Sequence, residues 1–181
     1  MKLTIAQEHG TIICMEVFII AALTADGLIA KNSNHPALWT SKEDKQFFQE
    51  KTKEAGIMIM GAHTFATIGR SLPGRKTIVY TRNPQKIDSH LPNVRATNTP
   101  PKQLLEELKA QGHTKIAICG GSAIYTLFLQ SGLVDKLYLT IEPTLFGRGM
   151  GLFTADLEVK LHLVSSRKLS DDVVLLEYDV V

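Results

Sequence analysis

The sequence predicts an α/β fold: a mostly parallel central sheet with helices on both faces and an antiparallel hairpin at the C-terminus. Short apolar runs alternate with helical patterns along most of the chain, which favours βα units. The runs are apolar at nearly every position, as in strands that are covered on both faces. Two strand patterns around Ser170, Asp171 and Asp172 predict the hairpin.

Capping and turn residues set the boundaries of the elements in the first half. Asp26-Gly27 is a turn signal that ends the first strand. Thr40 or Ser41 can cap the first helix, because a hydroxyl accepts hydrogen bonds from first-turn amides, and Gly56 can end it. The predicted order is a strand at residues 16–23, a loop at 30–38, the capped helix, a strand at 57–61, a short helix at 63–68, a structured loop at 69–75 and a strand at 77–81.

Proline and glycine mark the elements of the second half. Pro100-Pro101 suits the first turn of a helix whose leucines form one apolar stripe. Gly120-Gly121 separates a strand from the helix that follows it. The predicted order is a short strand at residues 94–96, the proline-started helix to residue 111, a strand at 115–119, a helix at 122–130, a strand at 136–141 and the hairpin strands at 160–166 and 173–179.

The length and composition are those of one globular domain. A chain of 181 residues can build one substantial core, and two complete domains would be cramped. The apolar share of 44% and the charged share of 21% argue against wholesale disorder. We expect a single domain over residues 15–181. Residues 1–14 are weakly patterned and are expected to form an N-terminal extension that could be flexible.

Charge and hydropathy argue against several classes of partner. The net charge of +2 lacks the dense basic stripe of a dedicated nucleic-acid binder. The apolar segment 11–30 contains Glu16 and the Asp26-Gly27 turn, which indicates a buried strand and not a membrane span or a signal peptide. We therefore expect a cytoplasmic protein, monomeric or homodimeric, that acts on a small molecule without nucleic-acid or membrane partners.

The cysteine and histidine spacings suggest neither a disulfide scaffold nor a metal site. Cys14 and Cys119 are too few for a disulfide framework in a chain of this size. Cys14 lies in an apolar run and Cys119 precedes two glycines, so we expect both thiols to be buried. No CxxC pair or histidine-rich spacing is present, and we expect no metal.

Two junctions between a strand and a helix carry glycine and could bind an anion. One lies at residues 118–123 around Gly120-Gly121, and the other follows Gly61. Glycine lets a ligand approach the backbone, and a helix N-terminus favours an anion such as pyrophosphate. Two such junctions at the carboxyl edge of one sheet could hold both ends of a dinucleotide. Ordinary tight connections of an α/β fold would carry the same residues, so the pattern alone leaves both interpretations open.

A carboxylate and a cationic loop are the candidates for contact with a substrate. Asp44 lies one helical turn before Phe48 on the same face. A carboxylate that faces an apolar pocket has a raised pKa and could manage a proton near neutral pH. The loop with Arg70 and Arg75 could bind a carboxylate or a phosphate. A solvated acid at a helix start and a solvated basic loop fit the same patterns. No nucleophile–base pair supports a hydrolase.

The order and spacing of these motifs resemble dihydrofolate reductases along nearly the whole chain from Glu16 onward. The most specific match is residues 59–76, IMGAHTFATIGRSLPGRK, which looks like the family's strand, cofactor-binding helix and IGRPLPGR loop. Gly120-Gly121 with Tyr125 looks like the second cofactor loop, and residues 136–140 look like the strand whose threonine supports the catalytic acid. The family's tryptophan, catalytic acid, folate-packing phenylalanine and helix threonine are matched in spacing by Trp39, Asp44, Phe48 and Thr52.

The resemblance implies reduction of 7,8-dihydrofolate to tetrahydrofolate, a step of one-carbon metabolism, with NADPH as cofactor. Hydride would pass from nicotinamide C4 to pterin C6, and Asp44 would promote protonation of N5. The implied catalytic residues are Asp44, Trp39 and Thr140. The implied substrate-binding residues are Ala22, Phe48, Thr52, Ile68, Leu72 and Arg75, with Arg75 on the glutamate α-carboxylate. The implied cofactor-binding residues are Ala22, Ile29, Gly61, Ala62, His63, Thr64, Tyr80, Thr81, Arg82, Cys119, Gly120, Gly121, Ser122, Ala123, Ile124 and Tyr125.

The chain departs from the family pattern in three places. Ala62 stands where the family commonly has an arginine for the cofactor's 2′-phosphate, and Arg82 could substitute. Ala30 replaces the usual glycine of the mobile loop, which is longer here. Residues 142–153 and the terminal hairpin look more like the riboflavin-pathway pyrimidine reductases, which share the fold and NADPH. Reduction of a ribosylamino-pyrimidine phosphate is therefore the alternative function, and the combination of Asp44 with Arg75 favours the folate.

Overall fold

The computed structural model describes residues 14–88 and 90–181, in which ten strands and four α-helices are found. The strands are β1 (Glu16–Thr24), β2 (Leu28–Ala30), β3 (Ile57–Gly61), β4 (Lys76–Tyr80), β5 (Val94–Thr97), β6 (Lys115–Ile118), β7 (Lys136–Glu142), β8 (Met150–Gly151), β9 (Leu161–Lys168) and β10 (Val174–Val180). The helices are α1 (Lys42–Ala55), α2 (Ala62–Ile68), α3 (Pro101–Ala110) and α4 (Ser122–Gln130). Short 3-10 turns lie at Ala37–Trp39 and Pro84–Lys86.

The main sheet has eight strands in the order β5-β4-β3-β6-β1-β7-β10-β9. Strand β1 lies parallel to both β6 and β7, and Ile19 is in register with Ile118 and Leu137. Strand β10 pairs antiparallel with β7 and with β9. The mostly parallel sheet and the antiparallel C-terminal hairpin are therefore confirmed.

The two faces of the sheet bury different side chains, because successive residues of a strand point to opposite faces. Ile19 belongs to the cluster that includes the apolar residues of α3 and α4. Its neighbours Phe18 and Ile20 belong to the cluster with Phe47 of α1 and Phe65 of α2. Helices thus cover both faces, as predicted. Each such side chain contributes about 1.5–3 kcal/mol when fully buried, so the central strands account for much of the stability.

Some local features differ from the expectations. Strands β2 and β8 form a small antiparallel pair that was not predicted, in which Leu28 lies opposite Gly151 and Ala30 lies opposite Met150. A 3-10 turn at Ala37–Trp39 lies at the end of the predicted loop. Cys14 is exposed, so the expectation of a buried thiol is wrong there, whereas Cys119 is buried as predicted. The expected extension lies outside the described residues except for its last residue. None of the helices in the described ranges is long and apolar enough to cross a membrane.

Candidate active site

A cleft of about 1170 Å³ opens where the carboxyl ends of the parallel strands meet. Parallel strands place their carboxyl ends at one edge of a sheet, and residues distant in sequence come together there. Ala22 of β1, Gly61 of β3, Tyr80 of β4 and Cys119 after β6 all line the cleft. Of the residues predicted for the site, all line it except Thr52 and Thr140.

Thr52 and Thr140 lie behind the surface of the cleft. Thr52 is fully buried, and its hydroxyl donates to the carbonyl oxygen of Phe48 at 2.6 Å. Thr140 is 1% exposed and forms a hydrogen bond with the side chain of Asp44. Thr52 is therefore placed to support helix α1, and Thr140 is placed to support the candidate acid.

The start of α1 and strand β7 together position the carboxyl group of Asp44. Ser41 caps α1, and its Oγ accepts a hydrogen bond from the Asp44 amide at 3.1 Å. Asp44 is only 8% exposed, and this burial raises the pKa of its carboxyl above the ordinary value. Hydrogen bonds from Thr140 and Thr40 oppose the rise. The carboxyl can therefore hold a proton closer to neutral pH than an exposed aspartic acid does.

Two residues that line the cleft each have one buried nitrogen atom without a hydrogen-bond partner among the described residues. They are Nε1 of Trp39 and Nε of Arg75. Buried N–H groups are nearly always paired in folded proteins, so these two donors are candidates for a hydrogen bond with a ligand or with water. Arg75 is 8% exposed, and desolvation lowers the pKa of its guanidinium. Its Nη1 donates to the carbonyl oxygen of Gln49, which fixes the side chain.

The glycine junctions form a cradle between β3 and β6. The amide of Gly61 donates to the carbonyl oxygen of Gly120 at 2.7 Å, and Gly120 has a φ of 105° that favours glycine. A Cβ at Gly61 would lie 3.1 Å from Cγ1 of Ile124, and one at Gly121 would lie 3.3 Å from Oγ1 of Thr64. Helices α2 and α4 both begin beside these glycines. The cradle suits the pyrophosphate of a dinucleotide, because backbone and helix N-termini line it.

The segment 30–39 forms one wall of the cleft and is held by the chain around Phe146. The rings of Trp39 and His35 contact Phe146 edge to face, with centroids 5.0 and 5.3 Å apart. The Lys31 ammonium lies 5.3 Å from the centroid of the same ring. The carboxylate of Asp26 accepts hydrogen bonds from the backbone amides of Phe146 and the residue after it. This wall is therefore anchored at both ends.

Several residues at the site were assigned no role there from the sequence. Lys45 and Gln49 line the cleft, and they lie four residues apart on α1, directly after Asp44 and Phe48, a pattern that could have identified them. Glu142 is 2% exposed and accepts hydrogen bonds from both the amide and the hydroxyl of Ser41. Its partner is 101 residues distant in sequence, so no local pattern indicated the contact. The cleft is also lined by Thr67, Asn83, Asn98, Leu127 and Met150.

Comparison with known proteins identifies the family of the chain. The family model described as dihydrofolate reductase matches residues 16–149. The dihydrofolate reductase of Buchnera aphidicola subsp. Baizongia pistaciae is 34% identical over 134 residues, which are 74% of this chain and 75% of that protein.

Solved structures show the same fold. A pyrimidine reductase-like protein from Corynebacterium diphtheriae superposes with a TM-score of 0.77 at 20% identity, over 92% of each chain. Dihydrofolate reductase from Enterococcus faecalis, in complex with NADP(H) and RAB-propyl, has a TM-score of 0.69 at 26% identity, over 91% of this chain and 96% of that one. With the family match over residues 16–149, these findings show that the chain belongs to the dihydrofolate reductase family of nicotinamide-dependent oxidoreductases.

Proposed function

We propose that this enzyme reduces 7,8-dihydrofolate to tetrahydrofolate with NADPH. The observation that carries the proposal is the presence, in one cleft, of the buried acid Asp44 and the buried cation Arg75, whose Nε is unpaired among the described residues. Dihydrofolate presents a ring nitrogen that must be protonated and a glutamate carboxylate that must be bound. One acid and one planar guanidinium match these two requirements.

The cradle around Gly61 and Gly120-Gly121 would hold the cofactor. The residues fit this group, because the glycine backbone and the first turns of α2 and α4 line the cleft, where they can approach a pyrophosphate closely. When bound, the cofactor supplies the hydride, and the protein aligns it with the substrate. The other cofactor-binding residues of the proposal are Ala22, Ile29, Ala62, His63, Tyr80, Thr81, Arg82, Cys119, Ser122, Ala123 and Tyr125.

Asp44 would act at the pterin end of the substrate. Its carboxyl would bind the pterin's amino group and ring nitrogen and would promote protonation of N5 through water. Thr140 would hold the carboxyl, as its hydrogen bond with Asp44 suggests. The unpaired Nε1 of Trp39 could donate to the water. Phe48, Ile68 and Leu72 would pack on the substrate, with Thr52 supporting Phe48 from behind.

Preference for NADPH over NADH would depend on Arg82. Ala62 lines the cleft but has no charge with which to bind a 2′-phosphate. Arg82 lies two residues beyond β4 and also lines the cleft, where its guanidinium could bind the phosphate bidentately. His63 also lines the cleft and could add a donor.

Reduction of a ribosylamino-pyrimidine phosphate is the second candidate. Lys45 lines the cleft beside Asp44 and adds a cation that a phosphate-bearing substrate could use. The resemblance of residues 142–153 to pyrimidine reductases also favours this candidate. We rank this candidate second, because Arg75 is a buried cation whose Nε has no partner in the described part of the chain, whereas Lys45 is exposed and already donates to the carbonyl oxygen of Thr40.

A substrate panel tests the proposal. The purified protein should oxidise NADPH when dihydrofolate is added, with little oxidation when the pyrimidine phosphate replaces it. Turnover of the pyrimidine without turnover of dihydrofolate would reverse the ranking. Tight NADPH binding with no turnover of either substrate would instead indicate a nucleotide-binding protein that has kept the fold without the activity.

A further inference from the structure

We infer that Glu142 is a positioning residue for Asp44: its buried carboxylate fixes the start of α1 through Ser41 and places a second negative charge beside the catalytic acid. The inference rests on the proposed function of Asp44 as the acid of the reaction. Glu142 does not line the cleft, so it acts through other residues and not on the substrate.

A chain of hydrogen bonds connects Glu142 to Asp44. Oε1 of Glu142 accepts from the amide of Ser41 at 3.0 Å and from its hydroxyl at 2.8 Å. The same hydroxyl oxygen accepts from the amide of Asp44 at 3.1 Å. Because the Ser41 hydroxyl donates to Glu142, its oxygen is oriented toward the first turn of α1. The carboxylate thus determines how the capping serine is held.

Strand β7 holds Asp44 at two points. Thr140 and Glu142 are two residues apart on β7 and therefore lie on the same face of the strand. Thr140 bonds directly to the side chain of Asp44, and Glu142 holds the backbone of Asp44 through Ser41. The direction of the Asp44 side chain is therefore set from both its carboxyl end and its backbone end.

The charge of Glu142 has its own consequence. A negative charge near a buried acid disfavours ionisation of that acid, and Coulomb repulsion by Glu142 contributes to the raised pKa of Asp44. Lys45 on α1 opposes this effect, and Tyr125 on α4 also interacts electrostatically with Asp44. The Glu142 carboxylate accepts its two hydrogen bonds from Ser41 at the N-terminus of α1, the end of the helix where the dipole favours an anion.

Three variants separate the two roles of Glu142, its hydrogen bonding to Ser41 and its negative charge beside Asp44. Glu142→Gln keeps an acceptor for Ser41 and removes the charge. Ser41→Ala breaks the hydrogen-bonded chain and keeps the charge. Glu142→Asp keeps the charge but shortens the reach to Ser41. Glu158→Gln, at an exposed glutamate before β9, is the matched control for loss of one negative charge.

The first measurement is the pH dependence of kcat with dihydrofolate. Activity that needs protonated Asp44 declines as pH rises through its pKa, so Glu142→Gln should move this decline to lower pH and reduce kcat at neutral pH about tenfold. Ser41→Ala and Glu142→Asp should lower kcat at every pH, and the pH at which kcat declines should stay at the wild-type value. NADPH affinity should not change in any variant. A Glu142→Gln enzyme with the wild-type profile would overturn the inference.

The second measurement does not depend on turnover. Titration of the ¹³C-labelled Asp44 carboxyl by NMR should give a lower pKa in Glu142→Gln than in the wild type, and the wild-type value in Glu158→Gln and Glu142→Asp. If dihydrofolate is not a substrate, the proposed function fails while this titration still tests Glu142. If Glu142→Gln does not fold, Glu142→Asp carries the test, and a wild-type kcat in that variant would contradict the positioning role.

Discussion

Arg75 donates from Nη1 to the backbone carbonyl oxygen of Gln49 at 2.9 Å, so the cation that precedes β4 is fixed against helix α1. With Nη1 engaged, the buried Nε remains without a partner among the described residues. Substitution Arg75→Lys keeps a charge and removes the planar fork. We expect KM for dihydrofolate to rise about tenfold to hundredfold, since a hydrogen bond to a charged group contributes about 1.5–3 kcal/mol.

The control for Arg75 is Arg95→Lys, at a half-exposed arginine paired with Glu107 away from the cleft. Its KM should stay at the wild-type value, and the Kd for NADPH should be unchanged in both variants. An Arg75→Lys enzyme with the wild-type KM would show that the substrate's anion is bound elsewhere, with Lys45 the next candidate.

The catalytic role of Asp44 predicts a loss that depends on pH. Asp44→Asn keeps the size of the side chain and removes the ionisable carboxyl group, so kcat with dihydrofolate should fall about 10²-fold or more at neutral pH. The deficit should shrink in acid, where solvent protonates the pterin without help from the enzyme. Steady-state rates across the pH range are the measurement. Unchanged turnover at neutral pH would remove Asp44 from the mechanism.

The same substitution should stabilise the fold at neutral pH. The folded-state pKa of Asp44 is raised above its ordinary value of 3.8, chiefly by burial, so the folded state favours the protonated form. The stability from this preference is fully present below pH 3.8 and is lost as pH rises through the folded-state pKa. Asp44→Asn avoids that loss and should have the higher Tm at neutral pH. Equal Tm values across the whole range would contradict the raised pKa.

The sheet could be predicted because its information is local. The fully buried residues Ile57, Met58 and Ile59 form one apolar run, and Gly56 and Gly61 bound it. Such a pattern fits few structures other than a central strand. The pairing of β2 with β8 could not be predicted in this way, because each is only two or three residues long and finds its partner across more than a hundred residues.

The same distinction between local patterns and long-range contacts applies to the residues of the site. Asp44 and Phe48 could be identified from one helix because they share a face, and the glycines from their position between strand and helix. Contacts such as Glu142 with Ser41, or Arg75 with Gln49, exist only after the chain folds. The raised pKa of Asp44 is a property of burial by several elements at once, so the helical pattern with Phe48 could offer it only beside the alternative of a solvated acid, and the resemblance to a family was needed to favour it.

The close approach at Gly61 predicts a defined packing conflict. Its φ of −75° suits any residue, so Gly61→Ala would be strained only by the contact of its Cβ with Cγ1 of Ile124. We expect a loss of about 1–3 kcal/mol in the free energy of unfolding, together with weaker cofactor binding. Ile124→Ala removes the atom in conflict, so the double variant should be more stable than the sum of the single losses. Additive losses in denaturant unfolding would exclude the contact as the cause.

The selectivity of the cofactor should depend on Arg82. If its guanidinium binds the 2′-phosphate, Arg82→Ala should raise the Kd for NADPH about tenfold to hundredfold and leave the Kd for NADH nearly unchanged. Ala62 lines the same cleft, so Ala62→Arg introduced into the Arg82→Ala protein should recover part of the lost affinity for NADPH alone. Fluorescence titration with both nucleotides measures each constant directly. An equal loss of affinity for NADPH and NADH would mean that Arg82 shapes the cleft without binding the 2′-phosphate. His63→Ala would then be the next substitution to make.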